Sequence, residues 1–202
     1  MTAQAPRKRG RRPQAELDPF TLRAAQRGDR RAQRRLVDHH GRAVFGVLSR
    51  ILSPAGKAGL VEDLAQETMM RVLGSIERFD PTGPAKLSTW IVTIAARLAV
   101  QELQRKRPSM ISGDAEAVDR IVDGPAASPE SHAAARQLRV RVQRVVRQMS
   151  APLRAAFVLA DGYGMTPTEV AEALDVPAAT ARTRIHRARE RIRAALNEED
   201  AT

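Results

Sequence analysis

The adjacent carboxylates Glu62 and Asp63 are the side chains that most invite an acid–base reading. Nothing else in the chain completes such a site. No nucleophile–base pair, phosphate-cradling glycine loop or group with metal-ligand spacing accompanies them. Cysteine is absent, which removes disulfides, thiolate zinc sites and cysteine nucleophiles together. His186 has no companion that would make it a ligand or a base, so a surface or backbone contact is expected of it. The residues predict no enzyme, no cofactor, no metal and no small-molecule substrate.

The chemistry that remains is cationic. Arg182, Arg184, Arg187, Arg191 and Arg193 cluster near the C-terminus with one acid, Glu190, among them. Ala181, Ile185, Ala188 and Ile192 recur at spacings of four, three and four, an apolar stripe of one helix with the arginines off it. A charge run of this kind is, on its own, a solvated face. What precedes it changes the reading. Thr166 can cap a helix whose first turn holds Pro167 and Glu169. Val170, Ala171 and Leu174 form that helix's buried side, and Asp175-Val176-Pro177 ends it before a second helix begins near Ala178. Small Ala171 and Ala173 allow two short helices to cross closely. This is a helix-turn-helix, whose second helix enters the major groove. Thr180, Arg182, Thr183, Arg184 and Arg187 lie toward the start of that helix, where arginine can hold guanine in a fork and threonine or arginine can hold phosphate.

A second pair of surfaces lies earlier. Val61, Leu64, Ala65, Thr68, Met69, Val72 and Ile76 keep a helical period toward a core, leaving Asp63, Gln66, Glu67, Met70 and Arg71 outside. Met70 beside Gln66 and two carboxylates suits a protein partner, although an ordinary amphipathic helix has the same pattern. A loop from Phe79 to Pro84 leads to Leu87-Ser-Thr-Trp, where Ser88 or Thr89 can cap a further helix. Trp90, Ile91, Ile94, Ala95, Leu98 and Leu103 make its core side, with Trp90 packing rather than stacking on bases. Thr93, Arg97, Gln101 and Gln104 lie opposite, and Arg105, Lys106 and Arg107 close the helix with positive charge. That face suits a strand or duplex.

These side chains need a helical scaffold, and the composition supplies one. The chain has 202 residues, 43% apolar but only 3% aromatic, so aliphatic helix packing dominates. Its formal charge of +11 favours polyanionic partners. No apolar run approaches the ~18 residues of a membrane span, and the basic start (Arg7 to Arg12) is followed by Pro13 and Glu16 rather than a secretory core. We read residues 1–16 as a disordered basic arm, 17–107 as a helical domain and 108–131 as an acidic, proline- and glycine-rich linker. Residues 132–197 form a second helical domain and 198–202 a tail. Within the second domain, Leu138, Val142, Val145, Val146, Met149, Leu153, Ala156, Phe157 and Leu159 are expected to support the helix-turn-helix. The expected fold is all-α. Fully extended, the linker would span up to ~80 Å, more than two turns of duplex, so the domains could touch two separated DNA sites.

Two segments together resemble one family. Glu62-Asp-Leu-Ala-Gln-Glu-Thr, Arg78-Phe-Asp-Pro and Leu87-Ser-Thr-Trp-Ile look like region 2 of extracytoplasmic-function (ECF) sigma factors, and Arg182-Thr-Arg-Ile-His-Arg-Ala-Arg-Glu-Arg-Ile resembles their region 4. The resemblance covers nearly all of residues 20–196. It implies that Asp63, Gln66, Glu67 and Met70 dock on the clamp helices of core RNA polymerase. It further implies that the helix from Ser88, with Thr93, Arg97, Gln101, Gln104 and Arg105, opens and reads the −10 promoter element as a single strand. The helix from Ala178 would read the −35 element as duplex, and the linker would run toward the RNA exit path. An anti-sigma factor, membrane-bound in some relatives, is the implied second partner, with the protein otherwise in the cytoplasm at the nucleoid. Where relatives commonly read Ala-Arg-Asn-Leu-Ala-x-Asp, this chain has Ala95-Ala-Arg-Leu-Ala-Val-Gln101, so an unusual −10 motif is expected. A stand-alone helix-turn-helix regulator would explain residues 150–196 equally well but leaves the strip from Asp63 to Met70 without a use. A basic RNA-binding protein lacks its usual exposed aromatics among the basic residues.

Overall fold

The structure is a computed structural model that describes residues 16–105 and 129–200; the acidic linker and the basic arm up to residue 15 fall outside the described residues, apart from the linker's last three positions. Within the described residues every regular element is helical. The N-terminal domain holds α1 (Pro19–Gln26), α2 (Arg30–Leu52), α3 (Val61–Ser75) and α4 (Leu87–Gln104). The C-terminal domain holds α5 (Pro129–Gln148), α6 (Ala151–Phe157) running into a π turn (Val158–Gly162), α7 (Pro167–Leu174) and α8 (Ala178–Asp200). None of these helices is long and apolar enough to cross a membrane.

Local chemistry sets the starts and stops. Asp18 accepts from the Thr21 amide at 2.9 Å to open α1, and Pro19 occupies its first turn. The Thr21 bonds hold the Asp18 carboxyl below its ordinary range. Asp29 caps α2 by accepting from the Ala32 amide at 2.8 Å. Gly28 takes φ +85° between them, the left-handed step that lets the chain reverse at once. α2 is the spine of the domain. Leu36, Val44, Val47, Leu48, Ile51 and Leu52 are fully buried, with α1, α3 and α4 packed around them. Gln26 ties α1 to the loop after α3 by donating to the carbonyls of Ile76 and Phe79 (3.1 and 2.7 Å).

The expected core of α3 holds: Val61, Leu64, Thr68, Met69, Val72 and the following Ile76 are buried and Ala65 is half-buried. α4 departs in two ways. Val92, Ala96 and Ala99 are buried along with Ile91, Ala95 and Leu98, so apolar contact wraps more of the helix than one stripe. Neither Ser88 nor Thr89 is the cap. Lys86 holds that position without a side-chain bond, and Glu16, placed by the sequence reading in the arm, reaches the Ser88 amide at 3.3 Å and accepts from its hydroxyl. The carboxylate that serves this terminus comes from the start of the chain, which local sequence cannot reveal.

In the second domain α8 is the spine. Ala181, Ile185 and Ala188 are buried on it and Ile192 half-buried, as their spacing requires. Val146, Met149 and Leu153 pack against Ala188 in a satellite cluster. Leu138, assigned to this core from its period, is 48% exposed on α5. The two domains also meet. α4 lies against α6 and α7, and α2 against the π turn, so one buried cluster runs from Leu22 through Leu159 to Ile185.

Candidate nucleic-acid and polymerase interfaces

The turn between α7 and α8 is built as its sequence demands. Thr166 accepts from the Glu169 amide at 3.2 Å while Glu169 accepts from the Thr166 amide at 2.7 Å, a reciprocal capping box with Pro167 in the first turn. Asp175 ends α7 in the left-handed region at φ +52°. Val170, Ala171 and Ala173 are buried beneath the crossing and Leu174 is half-buried.

The six arginines from Arg182 to Arg193, Arg189 among them, divide around α8 rather than forming one set. At ~100° per residue, Arg182 and Arg187 stand about 140° apart. Thr180 and Arg184 are half-buried, Thr183 and Arg187 exposed, and these four share one flank. Arg184, Arg187 and Arg191 surround a cavity of about 430 Å³ with Ser150 and Glu190, against the start of α6. Three cations and one acid, Glu190, thus line one groove. The Thr183 hydroxyl donates to the Ala179 carbonyl at 2.9 Å, leaving its oxygen lone pairs to accept. Arg182 is exposed on the opposite flank, the side on which Arg189 pairs with Asp161 at 3.0 Å. His186 pairs with Glu190 at 3.2 Å on the exposed surface.

On α3, Asp63 and Gln66 are exposed, Glu67 is half-buried and Met70 is 69% exposed. Glu67 is paired to Arg71 one turn on, at 2.6 Å. Phe20 and Phe45 of the same domain are exposed apolar side chains as well, so Met70 is set apart by its neighbours Asp63, Gln66 and Glu67 rather than by exposure alone. On α4 Thr93 is half-buried, and Gln101, Gln104 and Arg105 are exposed. Arg105 reaches Glu102 at 3.1 Å, and so does Lys57. Burial opposes the charge on Glu102, but Lys57 and Arg105 outweigh it and hold that carboxyl below its ordinary range. Arg97 is exposed on α4, and its guanidinium donates to the Ala173 carbonyl at 2.8 Å and to that of Glu172. Asp80 caps its own loop through Thr82 (2.8 Å), and Phe79 packs on half-buried Trp90 with ring centroids 5.3 Å apart.

Two features were missed by pattern. Arg30, Arg31, Arg34, Arg35 and Arg42 are all exposed on α2, giving the first domain a basic face of its own. Their spacing of three, four and seven was a legible signal. Arg154 is the other. It is only 4% exposed and gives its guanidinium to four carbonyls, those of Val146, Arg147, Met149 and Ile51. Its place between Leu153 and Ala155 on a short apolar helix marked it as inward-facing.

Comparison with known proteins finds a match in each of the two helical domains. Residues 36–108 match the model of sigma-70 region 2, and residues 139–192 that of sigma-70 region 4. The chain is 28% identical over 186 residues to the ECF RNA polymerase sigma factor SigW of Bacillus subtilis, covering 88% of this chain and 95% of that one. It is 30% identical over 181 residues to the ECF RNA polymerase sigma-E factor of Escherichia coli K12, covering 87% and 92%. Among solved structures, CnrH in complex with the cytosolic domain of CnrY superposes with a TM-score of 0.57 at 24% identity, over 89% of this chain and 96% of that one, a likeness of fold. The sigma factor RpoE of Bartonella quintana, in complex with the anti-sigma factor NepR, gives 0.53 at 20% identity over 81% and 96%. With both regions present in order and relatives matched over nearly their whole length, the chain belongs to the ECF family of RNA polymerase sigma factors.

Proposed function

We propose that this protein binds core RNA polymerase through α3 and directs it to promoters, reading a −35 duplex with α8 and a −10 strand with α4. The observation that carries this reading is the pairing, in one chain, of an unburied Met70 on α3 with an arginine-lined helix-turn-helix. DNA binding alone has no use for the first. Asp63, Gln66, Glu67 and Met70 make the polymerase contact, with Met70 as the apolar anchor inside a polar rim. Thr180, Thr183, Arg184 and Arg187 face the −35 bases and phosphates, with Arg191 on the backbone and Arg182 on the phosphates of the other flank. Thr93, Arg97, Gln101, Gln104 and Arg105 contact the −10 strand, and Arg97 with Gln101 gives it an unusual sequence. The basic face of α2 adds salt-dependent attraction to DNA without sequence preference.

In this scheme the protein performs no bond chemistry, acts in the cytoplasm and answers to an anti-sigma factor, the kind of partner present in the Bartonella complex. Purified protein mixed with core polymerase should yield promoter-dependent transcripts, and a randomised −10 library should return a motif unlike that of its relatives. A protein that programmes no initiation on any template would overturn the assignment.

A further inference from the structure

The outward face of α1 and α2 is cationic, and two phenyl rings stand in it. Phe20 is 83% exposed and Phe45 43%. At ~100° per residue, Phe20, Arg23 and Arg27 fall within ~60° of one another on α1, all exposed. On α2, exposed Arg31, Arg34, Arg35, Arg42 and Phe45 fall within ~100°, opposite the buried stripe of Leu36, Val47 and Ile51. Among the described residues none of these arginines forms a salt bridge. Asp38 is the one acid of α2. Asp18 and Asp29, at the helix starts, already accept from the Thr21 and Ala32 amides.

Cations on a helix face attract any polyanion. The rings narrow the choice. A phenyl ring has no polar tip to use in water, so one left open among guanidinium groups matches a ligand that brings a flat apolar face and a negative charge together. An unstacked nucleotide does this, with its base on the ring and its phosphate on the cations. In a duplex the base faces are covered by their stacked neighbours, and an acidic polypeptide has no bases to offer. The strip around Met70 is of another kind, its polar neighbours being two acids and an amide.

This face also continues toward α4. Glu16 reaches Ser88 at the start of α4, and Phe20 follows four residues later. Asp18 is held ionised first by its bonds to Thr21 and also by the charge of Arg35, which places the start of α1 near the basic strip of α2. From Arg35, Phe45 lies ten residues further, ~15 Å along the helix. We propose that the outward face of α1 and α2 is a second site for single-stranded DNA, indifferent to sequence, that takes the strand flanking the −10 element beside the start of α4. Phe20 and Phe45 each stack on a base, and Arg31, Arg34, Arg35 and Arg42 hold phosphates. The site gives a definite ligand to the attraction assigned above to α2, and rests on that reading. The strand's place beside the −10 element rests on α4 as well, whereas the affinity for a strand does not.

Phe20→Ala and Phe45→Ala alter exposed side chains outside the core. Full-length protein is titrated with labelled oligo-deoxythymidine, with the duplex it forms with oligo-deoxyadenosine, and with poly-glutamate. Each variant should weaken strand binding about tenfold, the contribution expected of one stacked base, and leave the duplex and poly-glutamate unmoved. Replacing Arg31, Arg34 and Arg35 together by Gln should weaken all three ligands and lower the salt slope on the strand by about two. Strand affinity indifferent to both rings rules out the site. So does a loss shared equally by the duplex, or by poly-glutamate, which would point to an acidic protein instead. In the complex with core polymerase and an opened promoter, a benzophenone side chain in place of Phe20 should cross-link to the DNA strand beside the −10 element. Cross-links confined to duplex or to transcript would refute that placement. Transcription by the same preparations keeps the proposals apart. Ring-dependent strand binding without transcripts leaves the site and removes the sigma function, and transcripts with strand binding indifferent to Phe20 and Phe45 do the reverse.

Discussion

α4 and α8 are assigned the same task, contact with promoter DNA, and are built in opposite ways. α4 buries Leu87, Ile91, Val92, Ala95, Ala96, Leu98, Ala99 and even Glu102. It is held on most sides, and its polar groups have work inside the protein: Glu102 bridges Lys57 and Arg105, and Arg97 caps α7. α8 is held along the single stripe of Ala181, Ile185 and Ala188, and most of its remaining surface faces outward. A helix gripped along one stripe can change its outer residues at small cost to the fold. A helix gripped all round cannot, so its reading surface is a short set of positions and is coupled to folding. The same contrast holds for the domains. The first is closed by aliphatic burial around α2, whereas the second adds a buried guanidinium to its apolar core.

That contrast predicts unequal fragility. Replacing Arg154 by Ala removes the donor from four carbonyls at once, three of them at the end of α5. Leaving buried acceptors unpaired costs ~1–3 kcal/mol each where water cannot enter, and a total of about 4 kcal/mol is expected in urea unfolding. An unchanged midpoint would mean that apolar packing, not the cation, closes the second domain.

The first domain should instead fail in acid. His40 is fully buried on α2, and burial, aided by the neighbouring His39, lowers its pKa from 6.5 to about 4. Between those values the unfolded chain takes up a proton that the folded chain refuses. Stability is therefore whole above pH 6.5 and falls as pH drops toward 4, by about 3 kcal/mol from this group. His40→Leu should flatten that part of the pH profile relative to the parent. Parallel profiles would show that His40 accepts its proton without unfolding. A smaller effect tests the partner surface on α3. Met70→Asp leaves the core untouched and should weaken core-polymerase binding about 30-fold, the ~2 kcal/mol of an interface anchor, whereas Glu67→Lys also breaks a pair with Arg71.

Much of this was legible in one dimension, and the reasons are physical. The capping box at Thr166, the break at Asp175 and the stripes of α3 and α8 are local events that depend on residues three or four apart. What escaped is non-local. Arg97 sits on the polar side of its own helix, where pattern placed it, yet its acceptors are 75 and 76 residues away. Leu138 keeps the period of a core residue, yet it stands 48% exposed on α5, and period alone does not say how far along a helix its neighbours extend. Val92, Ala96 and Ala99 lie outside the stripe of bulkier side chains, yet are buried with it because α4 is covered by helices of both domains.

The smallest predicted effect bears on how α4 is held. Glu16 does for α4 what Thr166 does for α7, but from the far end of the domain: it takes the Ser88 amide at 3.3 Å together with the Ser88 hydroxyl. A cap within the helix is fixed by the helix itself, whereas this one depends on the chain before α1 staying docked. Glu16→Gln keeps the shape and removes the charge that favours a helix N-terminus, and should cost about 1 kcal/mol or less. The telling measurement is local. Amide exchange at the start of α4 should quicken in Glu16→Gln, while exchange in α7 and α8 stays as it was. Ser88→Ala should reproduce most of that change, and the double variant should add little, because both substitutions break the same contact. Additive losses would mean that Glu16 and Ser88 act separately, and that α4 is held by its buried sides alone.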